Sequence, residues 1–216
     1  FIINFVSMNN ICYMLFAVLF FCKTAYTQIT IDKTTPYDSP TWLVDNILLG
    51  GGVVASNHSY QGDSMQIGFF NAISTNLGLD SGVVMATGDI DMLDPFFLGV
   101  PGVNPPNTVT DPDLLAVANS VPPLIGQTFV VSSINDVAIL EFDFIPTSDT
   151  VKFRYVFGSQ EYHTFENTQY NDVFGFFLSG PGIIGPYSSP PIHPNGSINL
   201  AIVPNSNPPL PITISS

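Results

Sequence analysis

One group of oxygen-bearing side chains in the sequence has the chemistry to bind a hard cation. Glu161 follows a stretch rich in Phe and Tyr, and Asn171 and Asp172 precede the next apolar stretch. Binding groups usually lie in loops held between rigid strands, and calcium prefers carboxylate and amide oxygens. We therefore predict calcium ligands at Glu161, Asn171 and Asp172. In the alternative interpretation, Asn171 and Asp172 only shape a turn through bonds to the backbone.

A second acidic group lies earlier in the chain. Calcium takes six to eight oxygen ligands, so the site needs further ligands from backbone carbonyls, water or this second group. Asp89 and Asp91 would face the same side of an extended chain, with Asp94 close behind them, and we predict that Asp89 and Asp91 complete the site. The spacing matches no EF-hand loop, and a solvated acidic loop is the alternative.

The residues that usually carry catalysis show no recognisable pattern. The sequence contains no HExxH, GxSxG, P-loop or dinucleotide-binding motif, and its three histidines stand apart from one another as His58, His163 and His193. A glycosidase needs two carboxyl groups flanking a cleft, and the candidates are Glu141, Glu161 and Glu166. We predict that the chain is not an enzyme, and a hydrolase remains an alternative.

Aromatic side chains near loops can stack on sugar rings, although most aromatic residues at strand spacing belong to a core. The candidates by position are Trp42, Tyr60, Tyr162, Tyr170 and Tyr187.

The net charge of the chain restricts the classes of partner that it can bind. The 216 residues include 4 Lys and Arg against 17 Asp and Glu, for a net charge of −13. Such a chain repels nucleic acid and anionic membrane surfaces. With 45% hydrophobic residues, the chain is too apolar for the acidity to indicate disorder.

The N-terminal residues resemble a targeting segment. Ile11–Cys22 is an apolar stretch of 12 residues, which suits a signal peptide and is short for a bilayer span. Small residues precede a cleavage position before Gln28. We therefore assign residues 1–27 to upstream sequence and a signal peptide, with a membrane anchor as the alternative, and residues 28–216 to the exported domain.

Periodicity predicts mostly strands in that domain. Ser39 and Pro40 begin a short helix over Thr41–Leu49, and residues 89–126 form a long loop with one helical turn at Asp113–Asn119. The predicted strands are Ile29–Ile31, Val53–Ser56, Gln66–Phe70, Gly82–Gly88, Thr128–Ser132, Val137–Ile145, Val151–Phe157, Asp172–Ser179 and Ile198–Val203.

Two of these strands alternate apolar and polar residues around a turn of four residues, Pro146–Asp149. This pattern predicts a hairpin in which Glu141 and Asp143 face Lys152 and Arg154. The expected fold is an all-β antiparallel β-sandwich, with a jelly roll as one form of it, a short N-terminal helix and long loops.

A family resemblance is carried by one long run, VAILEFDFIPTSDTVKFRYVFGSQEYHTFENTQYNDVFGFFLSGPG at residues 137–182, and by the flanking ATGDI, DPDL and NLAIVPNSNPPL. The run resembles the core of the choice-of-anchor L domain family. Gln160 stands where the family commonly has Glu.

The resemblance implies an exported, mostly bacterial surface protein that is held by a C-terminal sorting signal, often one for type IX secretion, with some relatives associated with gliding motility. The sequence ends at Ser216, inside the last family block, so we expect a truncated domain whose anchor is not included.

We therefore predict an extracellular or cell-surface adhesion module without catalysis, either calcium-stabilised or without a cofactor. Its partner would be an extracellular protein or glycan, and the mature domain would not insert into a membrane. The alternatives are a carbohydrate-binding module of a larger exported enzyme and a hydrolase.

Overall fold

The computed structural model describes residues 28–93, 107–188 and 194–216. The predicted signal peptide, Asp94 and His193 lie outside these residues. The described strands are β1 (Thr30–Asp32), β2 (Val53–Gln61), β3 (Ile67–Asn71), β4 (Ser81–Met85), β5 (Ile139–Pro146), β6 (Phe177–Leu178) and β7 (Ile198–Asn199). The α-helices are α1 (Pro40–Leu43) and α2 (Pro112–Leu124).

The strands pair antiparallel in three small sheets, with the orders β1-β3-β4, β2-β5 and β6-β7. The fold is therefore mainly β, as the periodicity predicts. The three sheets do not establish a sandwich or a jelly roll, so that finer interpretation stays a prediction.

The predicted N-terminal helix is confirmed. The Ser39 hydroxyl accepts a hydrogen bond from the Trp42 N–H at 3.3 Å, and Pro40 occupies the first turn, where its missing N–H costs nothing. The helix continues as a π-helix over Val44–Leu48. Leu43 and Val44 are fully buried and anchor this segment to the core.

The sheet β1-β3-β4 is covered by a short 3₁₀ helix over Ile90–Leu93. Ile90 is fully buried. A Cβ at Gly68 of β3 would lie 2.5 Å from Ile90 Cδ1 and 2.8 Å from the Asp32 carbonyl. Glycine is therefore required at this position for Ile90 to reach the core.

The predicted hairpin is wrong. β5 pairs with β2, from Val53 opposite Pro146 to Gln61 opposite Ile139, while residues 151–157 form no strand. The expected ion pairs are also absent from the described residues. Asp143 accepts a hydrogen bond from Asn57 Nδ2 at 2.6 Å, and Arg154 donates to the Gly78 carbonyl.

Two further predictions need correction. The helical turn expected within the long loop is the start of α2, which has 13 residues and buries Val117 and Val121. The strand expected over Thr128–Ser132 does not form. Instead, the Asn119 side chain donates to the Val131 carbonyl at 2.9 Å and accepts from the Val131 N–H at 2.9 Å, so a side chain on α2 takes the place of a partner strand.

The last predicted strands are shorter than expected. Within Asp172–Ser179 only Phe177 and Leu178 form a strand, and both are half-buried. Within Ile198–Val203 only β7 forms, and it pairs with β6. Isolated bridges, such as the one between Val173 and Thr213, link the rest of this region.

Candidate functional site

Glu161 and Asp172 are brought together, as the cation hypothesis requires. Asp172 Oδ2 accepts a hydrogen bond from the Ser159 hydroxyl at 2.8 Å, and the same hydroxyl oxygen accepts from the Glu161 N–H at 3.1 Å. Partial burial, and then the negative charge of Asp172, raise the pKa of Glu161 above 4.5. A cation between the two carboxylates would relieve this repulsion.

Asn171 lies beside Asp172 in sequence but contacts a different element. Its side chain is buried and its Nδ2 lies 3.4 Å from the Ala118 carbonyl of α2. Its Oδ1 is buried and has no hydrogen-bond partner among the described residues. Buried acceptors are rarely left unsatisfied in native proteins, so this oxygen is available to a water molecule or a cation.

Asp89 and Asp91 bind a cation of the chain itself. Lys33 Nζ lies 2.5 Å from Asp89 Oδ1 and 2.8 Å from Asp91 Oδ2. Burial alone would lower the pKa of Lys33, but its hydrogen bonds and charge interactions with Asp89 and Asp91 raise it above 10.5. The ammonium therefore offsets one of the two negative charges of this acidic pair.

The five predicted calcium ligands thus do not meet at one point. Across the described ranges, no three acidic or histidine side chains converge as a metal site would require. Glu161 and Asp172 form one carboxylate pair, and Asp89 and Asp91 form another that already holds Lys33.

Two of the three histidines, His58 and His163, lie against carboxylates. His58 lies on β2, and its Nε2 is 2.9 Å from Asp45 Oδ1. His163 Nδ1 is 3.4 Å from Glu166 Oε1. Glu141 lies on β5 opposite Ser59.

The aromatic candidates for sugar stacking differ in exposure. Tyr162 and Tyr170 are 40% and 59% exposed. Trp42 packs edge-on against Tyr37. Tyr60 donates its hydroxyl to the Asp63 carbonyl at 2.8 Å, and burial raises its pKa. Tyr187 packs against Phe177, with ring centroids 5.0 Å apart.

A groove of about 500 Å³ lies beside residues 153–157. Tyr155 and Tyr162 line it, both at about two-fifths exposure, and Arg154 lies at its side. Its remaining lining residues are Gly78, Leu79, Phe153, Val156, Phe157, Val203, Pro204, Ile212, Thr213 and Ser216. Aromatic rings, hydroxyls and a guanidinium at one groove are suited to binding a ligand that is partly apolar and partly polar.

Sequence reasoning missed this groove because it placed Arg154 in a hairpin. A longer β2 would have been the signal that this strand, and not residues 151–157, pairs with β5. Ser59, Tyr60 and Gln61 continue the strand beyond the expected end at Ser56, but a register shift between Ser56 and Ser59 interrupts the alternation.

Comparison with known proteins gives one match. The sequence model of the choice-of-anchor L domain family matches residues 30–216, nearly the whole chain. No curated protein and no solved structure matches. Within the described parts of the chain, no helix has the length and apolar character needed to cross a membrane.

Proposed function

The chain belongs to the choice-of-anchor L domain family, and on this basis we propose that it is an exported interaction module that binds an extracellular ligand without catalysis. Membership itself indicates a surface-associated or exported protein. The observation that supports a binding role is the groove beside residues 153–157, where Tyr155 and Tyr162 remain partly exposed.

Aromatic packing beside the groove supports the same role. Phe153 packs edge-on against Phe176, with ring centroids 4.6 Å apart, and Tyr155 packs against Phe174 at 5.3 Å. The groove is thus built on packed aromatic side chains, which lowers the entropy lost when a ligand binds.

Antibody labelling of intact cells tests the location. We expect an antibody against the domain to label intact and permeabilised cells equally, while a cytosolic control protein is labelled only after permeabilisation. Labelling of this chain only after permeabilisation would contradict export.

We further propose that Glu161 and Asp172 hold calcium, because the two carboxylates repel each other in its absence. Calcium should then raise the melting temperature of the protein compared with magnesium at equal ionic strength, and EGTA should reverse the rise. Asp172→Asn should abolish the calcium effect, whereas Asp149→Asn, at an exposed turn position, should retain it. An identical response of the Asp172→Asn and Asp149→Asn proteins would rule out this site.

A carbohydrate-binding module is the second candidate, and the exposure of Tyr162 and Tyr170 favours it. A glycan array with and without calcium distinguishes it from a protein-binding module. Specific glycan binding that Tyr162→Ala abolishes would establish this alternative.

A further inference from the structure

The chain contains a strand-like segment without a strand partner. Val151–Tyr155 alternates apolar and polar residues as a β-strand does, and the rings of Phe153 and Tyr155 contact those of Phe176 and Phe174. Within the described residues, its backbone N–H and C=O groups form no backbone hydrogen bonds. At about 3.3 Å per residue it offers an edge about 23 Å long.

An unpaired edge of this kind pairs readily with an extended chain. The groove of about 500 Å³ runs beside Phe153–Phe157, so there is room for such a chain next to the free backbone. Leu79, Val203 and Ile212 also line the groove and can contact apolar side chains of an added strand.

The charges beside this edge indicate which extended chain fits. Lys152 and Arg154 are exposed and neither forms an ion pair within the described residues, although Arg154 donates one hydrogen bond to the Gly78 carbonyl. They are two of only four basic residues in a chain with a net charge of −13. Carboxylates directly opposite them on a neighbouring strand would form favourable cross-strand pairs.

We propose that Val151–Phe157 binds an extended segment of a partner protein by β-strand addition, and that the segment carries carboxylates at alternate positions opposite Lys152 and Arg154. The proposal rests on the binding role proposed above and specifies its ligand. A second copy of this chain, pairing edge to edge, is the alternative occupant that the experiment also tests.

The experiment uses blocked heptapeptides and the purified protein. A peptide of alternating Val and Glu should bind, and one of alternating Val and Lys should bind about tenfold more weakly or not at all. In an added strand only every second N–H faces the protein. Methylating the peptide nitrogens at even positions or at odd positions should therefore abolish binding in one series and preserve it in the other.

Variants of the protein test the edge itself. Lys152→Glu should weaken binding of the Val-Glu peptide and strengthen binding of the Val-Lys peptide. Lys152 forms no hydrogen bond or ion pair with the described residues, so this variant should fold. Thr41→Glu adds one negative charge, half the change made by Lys152→Glu, at an exposed position on α1 and should leave both affinities unchanged.

Hydrogen exchange of the backbone amides distinguishes strand addition from binding through side chains alone, which would not slow exchange at alternate amides. The bound Val-Glu peptide should slow exchange at alternate amides of Val151–Phe157. The proposal is overturned if the peptide fails to bind, if both methylated series bind equally, if a glycan displaces the peptide from this edge as the true ligand, or if the protein alone dimerises through it. Any of these outcomes leaves the antibody test of export unaffected.

Discussion

At the scale of single residues, Asn119 substitutes for a strand. Its amide group forms both hydrogen bonds that Val131 would otherwise exchange with a neighbouring strand. Asn119→Ala should leave these backbone groups unpaired in a part-buried position, which costs about 1–3 kcal/mol. We expect a fall of that size in the free energy of unfolding, measured by urea denaturation.

Asn46→Ala is the matched control for this change. Asn46 is exposed and donates one bond to the Trp42 carbonyl, so its loss should alter the free energy of unfolding by less than about 0.5 kcal/mol. Equal effects of the two substitutions would contradict the role assigned to Asn119.

The raised pKa of Glu161 predicts how the stability of the protein depends on pH. The measurement is made in EGTA so that no calcium is bound. Burial and Asp172 raise the pKa of Glu161 in the folded protein. Between the unfolded pKa and this higher folded pKa, the folded state binds more protons than the unfolded state, so stability falls as pH rises. Glu161→Gln should raise the melting temperature at pH 7, and the gain should disappear below about pH 4.

Glu166→Gln provides the comparison, because Glu166 belongs to the same segment and its carboxylate lies 3.4 Å from the exposed imidazole of His163. A gain from Glu161→Gln that is the same at pH 7 and at pH 4 would show that its charge is not responsible.

Sequence could predict those residues whose partners are close in the chain. Ser39 was recognisable as a helix cap because the N–H it binds is that of Trp42, three residues later. The Asn119–Val131 pair was not recognisable, because a side chain that replaces a strand leaves no periodic signal. Glu161 and Asp172 are eleven residues apart, and the Ser159 hydroxyl bonds to both residues, whereas their sharing of a cation stays a prediction. The pairing of Lys33 with Asp89 and Asp91 spans more than fifty residues and has no local signature.

At the scale of elements, α2 depends on its first residues. Asp111 Oδ1 accepts hydrogen bonds from the N–H groups of Asp113 and Leu114, both at 2.8 Å, and Pro112 occupies the first turn. Replacing an N-cap aspartate by alanine costs about 0.5–2 kcal/mol. Asp111→Ala should lower the free energy of unfolding by that amount and reduce the helical signal in circular dichroism.

Asp149→Ala removes one carboxylate from an exposed turn and is the control for charge. If Asp149→Ala destabilises the protein as much as Asp111→Ala, capping is not the cause.

The alternation of apolar and polar residues in the sequence was not enough to identify which strands pair with each other. A short turn between two alternating segments favours a hairpin because loop closure is then inexpensive. β5 instead pairs with β2, more than seventy residues earlier in the chain. Asn57, with φ at 54°, lies in the irregular stretch of β2 and donates to Asp143, so one long-range hydrogen bond supports a register that alternation alone could not show.

At the scale of the whole molecule, unpaired negative charge should limit stability. The chain carries 17 acidic residues and 4 basic ones, and Lys33 is the lysine that forms ion pairs among the described residues. The remaining carboxylates repel one another in the compact state more than in the unfolded chain. Salt shortens the range of this repulsion, from about 10 Å at 0.1 M to about 3 Å at 1 M.

Sodium chloride should therefore raise the melting temperature between 0.02 M and about 0.5 M, because screening weakens repulsion at these ionic strengths. The rise should be smooth and unaffected by Asp172→Asn, since it comes from the summed charge and not from one pair of carboxylates. Differential scanning fluorimetry along a salt series measures it, with sucrose as a control for solvent exclusion. A melting temperature that falls with salt would mean that attractive charge pairs outweigh the repulsion, and that the acidic surface is neutralised by contacts within the fold.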